Sequence, residues 1–152
     1  MKILIPLLFV FLSQSVLANK CIDLMKKEDF YTAVDVCKSM ANKGDKDAQF
    51  SLGILYYGGQ GMMSDQGEAH KWWRKAARQN LPEAQYNLGI MIANGQGGEA
   101  DLVEAYAWLK IAAENGYKPA IESVDQLGAE LSSEEKKQSV ERIVELKKQV
   151  KR

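Results

Sequence analysis

Any chemistry in this 152-residue sequence would have to start from a short set of groups: two cysteines, one histidine and two glycine-rich loops. Cys21 and Cys37 can pair where the compartment is oxidising. Redox-active pairs usually sit two residues apart, so the wide spacing here points to a structural bridge. Asp29 lies midway between them, and Lys26–Asp29 reads as the turn of a helical hairpin, which sets the two sulfurs facing each other. Closing such a loop stabilises by about 3 kcal/mol on chain-entropy grounds. His70 as a general base would need Ser51 or Ser64 beside it and an acid such as Asp65, and only residue type supports that set. With no second imidazole or thiolate pair nearby, His70 is not read as a metal ligand. Gly59-Gln60-Gly61 and Gly95-Gln96-Gly97 suggest phosphate cradles, but they follow helices rather than strands and carry neither the lysine nor the third glycine such loops use. They read as turns between helices. No catalytic residue, metal or cofactor is assigned.

The start of the chain gives the cysteines their setting. Lys2, the apolar run Ile3–Leu12 and the more polar Ser13–Ala18, with Val16 and Ala18 at the −3 and −1 places, read as a signal peptide cleaved between Ala18 and Asn19. The apolar run is too short to span a bilayer, and no later stretch approaches the roughly 18 apolar residues of a membrane helix. The expected product is periplasmic or secreted, with no membrane insertion after cleavage. Basic and acidic residues number 20 each over the whole sequence, and loss of Lys2 leaves 19 against 20. That balance supplies no basic stripe for nucleic acid or anionic lipid.

Most of the remaining chain says the same thing twice. Ala48–Glu83 laid over Ala84–Pro119 gives identities at a constant offset of 36, among them Leu52/Leu88, Gly53/Gly89, Gly59/Gly95, Asp65/Asp101, Trp72/Trp108 and Ala76/Ala112. A period in this range marks stacked helical units, none of which can bury its apolar face alone. Each unit reads as a helix, a glycine turn and a second helix capped by Asp65 or Asp101. The second helix of the first unit buries Ala69, Trp72, Ala76 and Ala77 and leaves His70, Lys71, Arg74 and Lys75 to solvent. Residues 19–47 form a degenerate capping hairpin, in phase with the repeats 48–83 and 84–119. Residues 120–152 close the other end: Ala120, Val124 and Leu127 continue the first-helix stripe. Ser132-Ser133-Glu134-Glu135 then opens a last helix whose Val140, Ile143 and Val144 point inward. No segment alternates with the period of a strand, so the fold is all-α.

The repeated pattern resembles the Sel-one-like repeat, a relative of the tetratricopeptide repeat common in exported bacterial proteins. Its places are met by Ala48, Leu52-Gly53, Tyr56, Gly59-Gln60-Gly61, Asp65, Ala69, Trp72 and Lys75-Ala76-Ala77. The second copy departs from it at Ile92 and Ile111. The resemblance implies a short right-handed α/α solenoid between caps, used as an adaptor surface rather than as an enzyme. Some cysteine-rich relatives bind or cleave β-lactams, which makes a hydrolase the competing class. Those relatives carry a cysteine pair in every repeat, and both repeats here have none.

A second stripe on the first helices, turned away from Leu52 and Leu88, is left for binding: Phe50, Ile54 and Tyr57, then Tyr86, Ile90 and Ala93. In related helical-repeat proteins that face lines a concave groove for a peptide or partner segment, where aromatic anchors supply most of the free energy. Tyr57 and Ile54 are assigned to the groove. For Phe50 and Tyr86, groove wall and core stand equally. Trp73 is read as a further exposed anchor. The expected function is binding of a protein or peptide in the cell envelope, as an adaptor, a regulator or an immunity protein against a delivered toxin.

Overall fold

A computed structural model describes residues 20–150; the signal segment and the Ala18/Asn19 junction lie outside the described residues. Helix α1 occupies residues 20–26. It is followed by α2 (Phe30–Asn42), α3 (Lys46–Gly58), α4 (Gln66–Arg78), α5 (Pro82–Ala93), α6 (Leu102–Glu114), α7 (Pro119–Glu130) and α8 (Ser133–Gln149). Each of α2 to α6 packs on its successor, and α8 lies against α6. This is an α-solenoid of paired helices. None of the described helices is long and apolar enough to cross a membrane.

Aspartates set the helix starts. The side chains of Asp29, Asp45, Asp65 and Asp101 each accept a hydrogen bond from a backbone N–H three residues on, satisfying a donor the helix itself leaves free. Ser132 and Glu135 form the reciprocal capping box that the sequence announces for α8. The Gly-Gln-Gly turns do more than reverse the chain. Gly61 and Gly97 adopt φ of 72° and 77°, and each presses on the first residue of a preceding second helix. A Cβ on Gly61 would come within 2.6 Å of the Phe30 backbone, and one on Gly97 within 2.5 Å of the Gln66 carbonyl oxygen. The third residue of each turn is therefore glycine because successive helix pairs touch there.

Two apolar clusters fill the solenoid, and α4 lies between them. Trp72 joins the N-terminal cluster with Leu52, Leu55, Met40 and the Cys21–Cys37 disulfide. Trp73 joins the larger cluster with Leu88, Met91, Trp108, Leu109 and Leu146. Adjacent residues thus enter different cores, as a helix covered on two sides allows.

A ladder of amides ties the units together. Gln49 donates to the Ala41 carbonyl and accepts from Gln79, which also bonds the Gly44 carbonyl. One repeat on, Gln85 donates to the Ala77 carbonyl and to Asn80, and Asn115 donates to both Asn80 and Gln85. Gln49 and Gln85 are buried and each donates across to the preceding helix pair, while Gln79 and Asn115 each bond the glutamine of their own repeat and the turn before it. Gln85→Ala should cost about 1–3 kcal/mol because a fully buried side chain that bonds the Ala77 carbonyl, Asn80 and Asn115 is removed. Urea denaturation checks this against Gln138→Ala on the exposed face of α8, where a change within about 0.5 kcal/mol is expected.

The last helix departs from the expected phase. Val140 and Val144 are 62% and 51% exposed, whereas Ser139 and Leu146 are buried and Ile143 partly so. The inward stripe runs Ser139, Ile143, Leu146 and Val150. The Ser139 hydroxyl donates to the Lys136 carbonyl at 2.7 Å, so this polar side chain sits inside without an unmet bond.

Candidate functional site

Five of the six residues expected to bind line one cleft of about 310 Å³: Ile54 and Tyr57 from α3, Tyr86 and Ile90 from α5, and Trp73 from α4. Ile54 and Ile90 hold equivalent positions of the two repeats, and Tyr57 and Tyr86 join them at the i, i+3/i+4 spacing of their own helices. Gly53 makes the close approach of α4 possible: a Cβ there would lie 2.4 Å from the Trp73 ring.

Trp73 is not the exposed anchor expected of it. It is 4% exposed, and its indole N–H donates to the Phe50 carbonyl at 3.1 Å. Burial between two helix layers makes it the floor of the cleft rather than a projecting side chain. Phe50 does not line the cleft. It is half-buried, with its ring centroid 6.4 Å from that of Trp73, and it braces the floor from behind. Tyr57 stands 5.4 Å from the same ring and remains 42% exposed. Its hydroxyl accepts a hydrogen bond from the Gln96 side chain at 3.2 Å, so the loop of the second repeat reaches the cleft of the first. Tyr86 packs on Tyr117, with ring centroids 5.1 Å apart.

Three lining residues escaped the sequence reading: Asn87, Met91 and Gln96. Asn87 lies one turn before Ile90 and one residue after Tyr86, so the register that found its neighbours could have found it. The apolar criterion passed over it. Gln96 was visible only as a turn residue. The cleft surface is apolar apart from these amides and the tyrosine hydroxyl, which suits side chains held by contact and backbone held by hydrogen bonds.

Of the groups considered for catalysis, His70, Asp65 and Ser51 have structural places. The His70 Nε2 atom accepts from Arg74 at 3.3 Å. Asp65 caps α4 through the Glu68 N–H, and Ser51 is buried in α3. Arg74 is not left to solvent: it reaches 2.8 Å to Glu104, which also binds Arg142 at 2.9 Å and the Trp108 indole N–H at 3.2 Å. Burial pushes the Glu104 carboxyl up, but the two guanidiniums and the indole outweigh it and hold the group below its ordinary range. Burial first and Arg74 second push His70 down, against a pull from Glu104. Of the other two residues expected towards solvent, Lys71 pairs with Glu68 on the surface, and the Lys75 ammonium lies 3.9 Å over the Trp72 ring.

The Sel1 repeat profile matches residues 46–81 and 82–117, the two units whose helices build the cleft. The chain belongs to the Sel1-like repeat family. Among solved structures, this Sel1 protein is similar to a protective antigen present in uropathogenic Escherichia coli strains that displays an SLR fold. The two share 30% identity at a TM-score of 0.85, over 90% of this chain and 30% of that one. It is also similar to a Sel1 repeat protein from Oxalobacter formigenes, with 35% identity and a TM-score of 0.60 over 62% of this chain and 39% of that one. The chain thus spans 30% and 39% of the lengths of these two solved relatives. No curated protein matches it. Sel1 repeats generally serve protein–protein interaction as non-catalytic scaffolds.

Proposed function

We propose that this Sel1 protein captures a protein or peptide segment in the cleft over Trp73, which would form part of the concave face of the first helices, and that it does so outside the cytoplasm. The convergence of Ile54, Tyr57, Tyr86 and Ile90 on one apolar hollow with an aromatic floor carries the reading. Rigid aromatic walls favour binding because little side-chain freedom is lost on contact. Export is supported by the signal-like start of the sequence and by the Cys21–Cys37 pairing. Such a module fits an adaptor, a regulator's ligand or an immunity protein. A sensor kinase among the captured partners would favour the regulator, and a delivered toxin bound one to one the immunity role.

The test is affinity capture from envelope extract with mass spectrometry, comparing the parent with Tyr57→Ala and Tyr86→Ala. Both variants should lose partners that the parent retains, about tenfold or more in recovered amount, with helical circular dichroism unchanged. Lys71→Ala, at an exposed position outside the cleft, should behave as the parent. Equal recovery by all four proteins removes the cleft assignment.

A further inference from the structure

The cleft over Trp73 is lined without charge. None of its eight lining residues is Asp, Glu, Lys, Arg or His, and its polar groups are tyrosine hydroxyls and the amides of Asn87 and Gln96. A charged side chain entering it would leave water without meeting an opposite charge. The space is about 310 Å³. An apolar cavity of about 150 Å³ holds a benzene ring, so the cleft has room for about two ring-sized side chains.

Its polar groups are not all spent on one another. The Trp73 indole N–H is taken by the Phe50 carbonyl. Gln96 donates to the Tyr57 hydroxyl, and a hydroxyl that accepts a bond keeps its own proton to give. Asn87 lies on the cleft wall with no hydrogen-bond partner for its side chain among the described residues, and an amide can donate and accept at once. These offers match a backbone N–H and C=O that are themselves unpaired. A helical segment has satisfied those groups internally, whereas an extended one presents them along its edges.

The aromatic pair of the cleft is built once. Tyr57 and Trp73 stand 36 residues after Cys21 and Cys37, whose disulfide takes the same place in the cap, and 36 before Ala93 and Leu109. A partner therefore has one aromatic place to fill rather than a row of them.

Building on the cleft reading, we infer that the occupant is a short, uncharged, extended segment with two bulky apolar side chains two positions apart. In extended chain such residues point the same way and lie about 7 Å from each other. Both can enter the cleft while Asn87 and the Tyr57 hydroxyl bond the backbone beside them. Helical segments carry their same-face side chains three or four positions apart and leave Asn87 without a partner.

The test uses labelled synthetic peptides in a glycine–serine host, each with two phenylalanines at i and i+2, i+3 or i+4, measured against the full chain by fluorescence anisotropy. The i, i+2 peptide should bind about tenfold tighter than the other two. Single backbone N-methylation walked along that peptide should find a nitrogen whose loss weakens binding about tenfold, the worth of one hydrogen bond. Asn87→Ala should weaken the unmethylated peptide about as much and make binding indifferent to that methyl group. Lysine or glutamate in place of one phenylalanine should abolish binding alike. Tightest binding at i+3 or i+4, indifference to Asn87→Ala and to every methyl group, or tolerance of lysine or glutamate overturns the extended-segment inference. The cleft reading stands through those outcomes as long as Tyr57→Ala and Tyr86→Ala still weaken binding. If no peptide binds, or if those two variants bind as the parent does, the cleft reading and this inference both fall.

Discussion

Trp108→Ala is expected to cost about 3–5 kcal/mol and to lower the melting temperature by about 10–15 °C. Trp108 is fully buried in the larger core, and its indole N–H bonds Glu104, so truncation opens a cavity and removes a donor together. Its repeat partner Trp72 occupies the same place one unit earlier under different conditions. Trp72 is 7% exposed, its indole N–H has no hydrogen-bond partner among the described residues, and Lys75 covers its ring. The two phenylalanine variants separate packing from hydrogen bonding. Trp108→Phe should lose about 1–3 kcal/mol more than Trp72→Phe, since only the former strips a bond from a half-buried carboxylate. Thermal melts of the three variants check this. Equal losses for the two phenylalanine changes would mean that the Glu104–Trp108 bond contributes nothing.

The repeat carried the solenoid in plain view because its identities fall where packing demands small or specific side chains: Gly53 and Gly89 under the second helix, Gly61 and Gly97 between pairs, Asp65 and Asp101 at caps. Gln49 and Gln85 were equally visible as identities, yet their role was not. A buried glutamine looks like a surface residue until the carbonyl it reaches, eight residues earlier, is placed beside it. Trp73 misled for a related reason. Helical periodicity assigns one buried face, whereas α4 is covered on two. On α8, Val140 and Val144 drew the stripe to the wrong phase because Ser139 at the true inward position hides its hydroxyl in its own helix. Five of the six residues expected to bind meet in one cleft because α3 and α5 lie side by side and present the same helical face, which spacing alone conveys. The Glu104 cluster was out of reach: it joins α4, α6 and α8, and no repeat offset relates Arg142 to Arg74.

That cluster sets the response to acid. Glu104 is 13% exposed at its side chain and is shared by two guanidiniums, so Glu104→Gln removes the anion between Arg74 and Arg142 and leaves Arg142 only Glu145. The expected loss is about 2–4 kcal/mol, below that of a fully buried pair because both arginines keep part of their solvent. The pH dependence follows from the direction of each shift. Glu104 titrates lower folded than unfolded, so its contribution is complete above the ordinary 4.5 and is lost as pH falls through the folded value. His70 also titrates lower folded than unfolded. The unfolded chain therefore takes up that proton first, and stability begins to fall as pH drops below 6.5. Melting temperature measured from pH 8 to 3 should decline in two stages, the upper removed by His70→Gln and the lower reduced by Glu104→Gln, the capping carboxylate Glu135 supplying the remainder. In Glu104→Gln the upper stage should steepen, because Glu104 is the neighbour that favours the charged imidazole. Peptide affinity at neutral pH should be unchanged in Glu104→Gln, since none of the cluster's polar contacts involves a cleft residue. A variant that melted like its parent at pH 7 would show that the three-helix tie is ornamental, and one that lost peptide binding while still folded would show that cleft and cluster are coupled through α4.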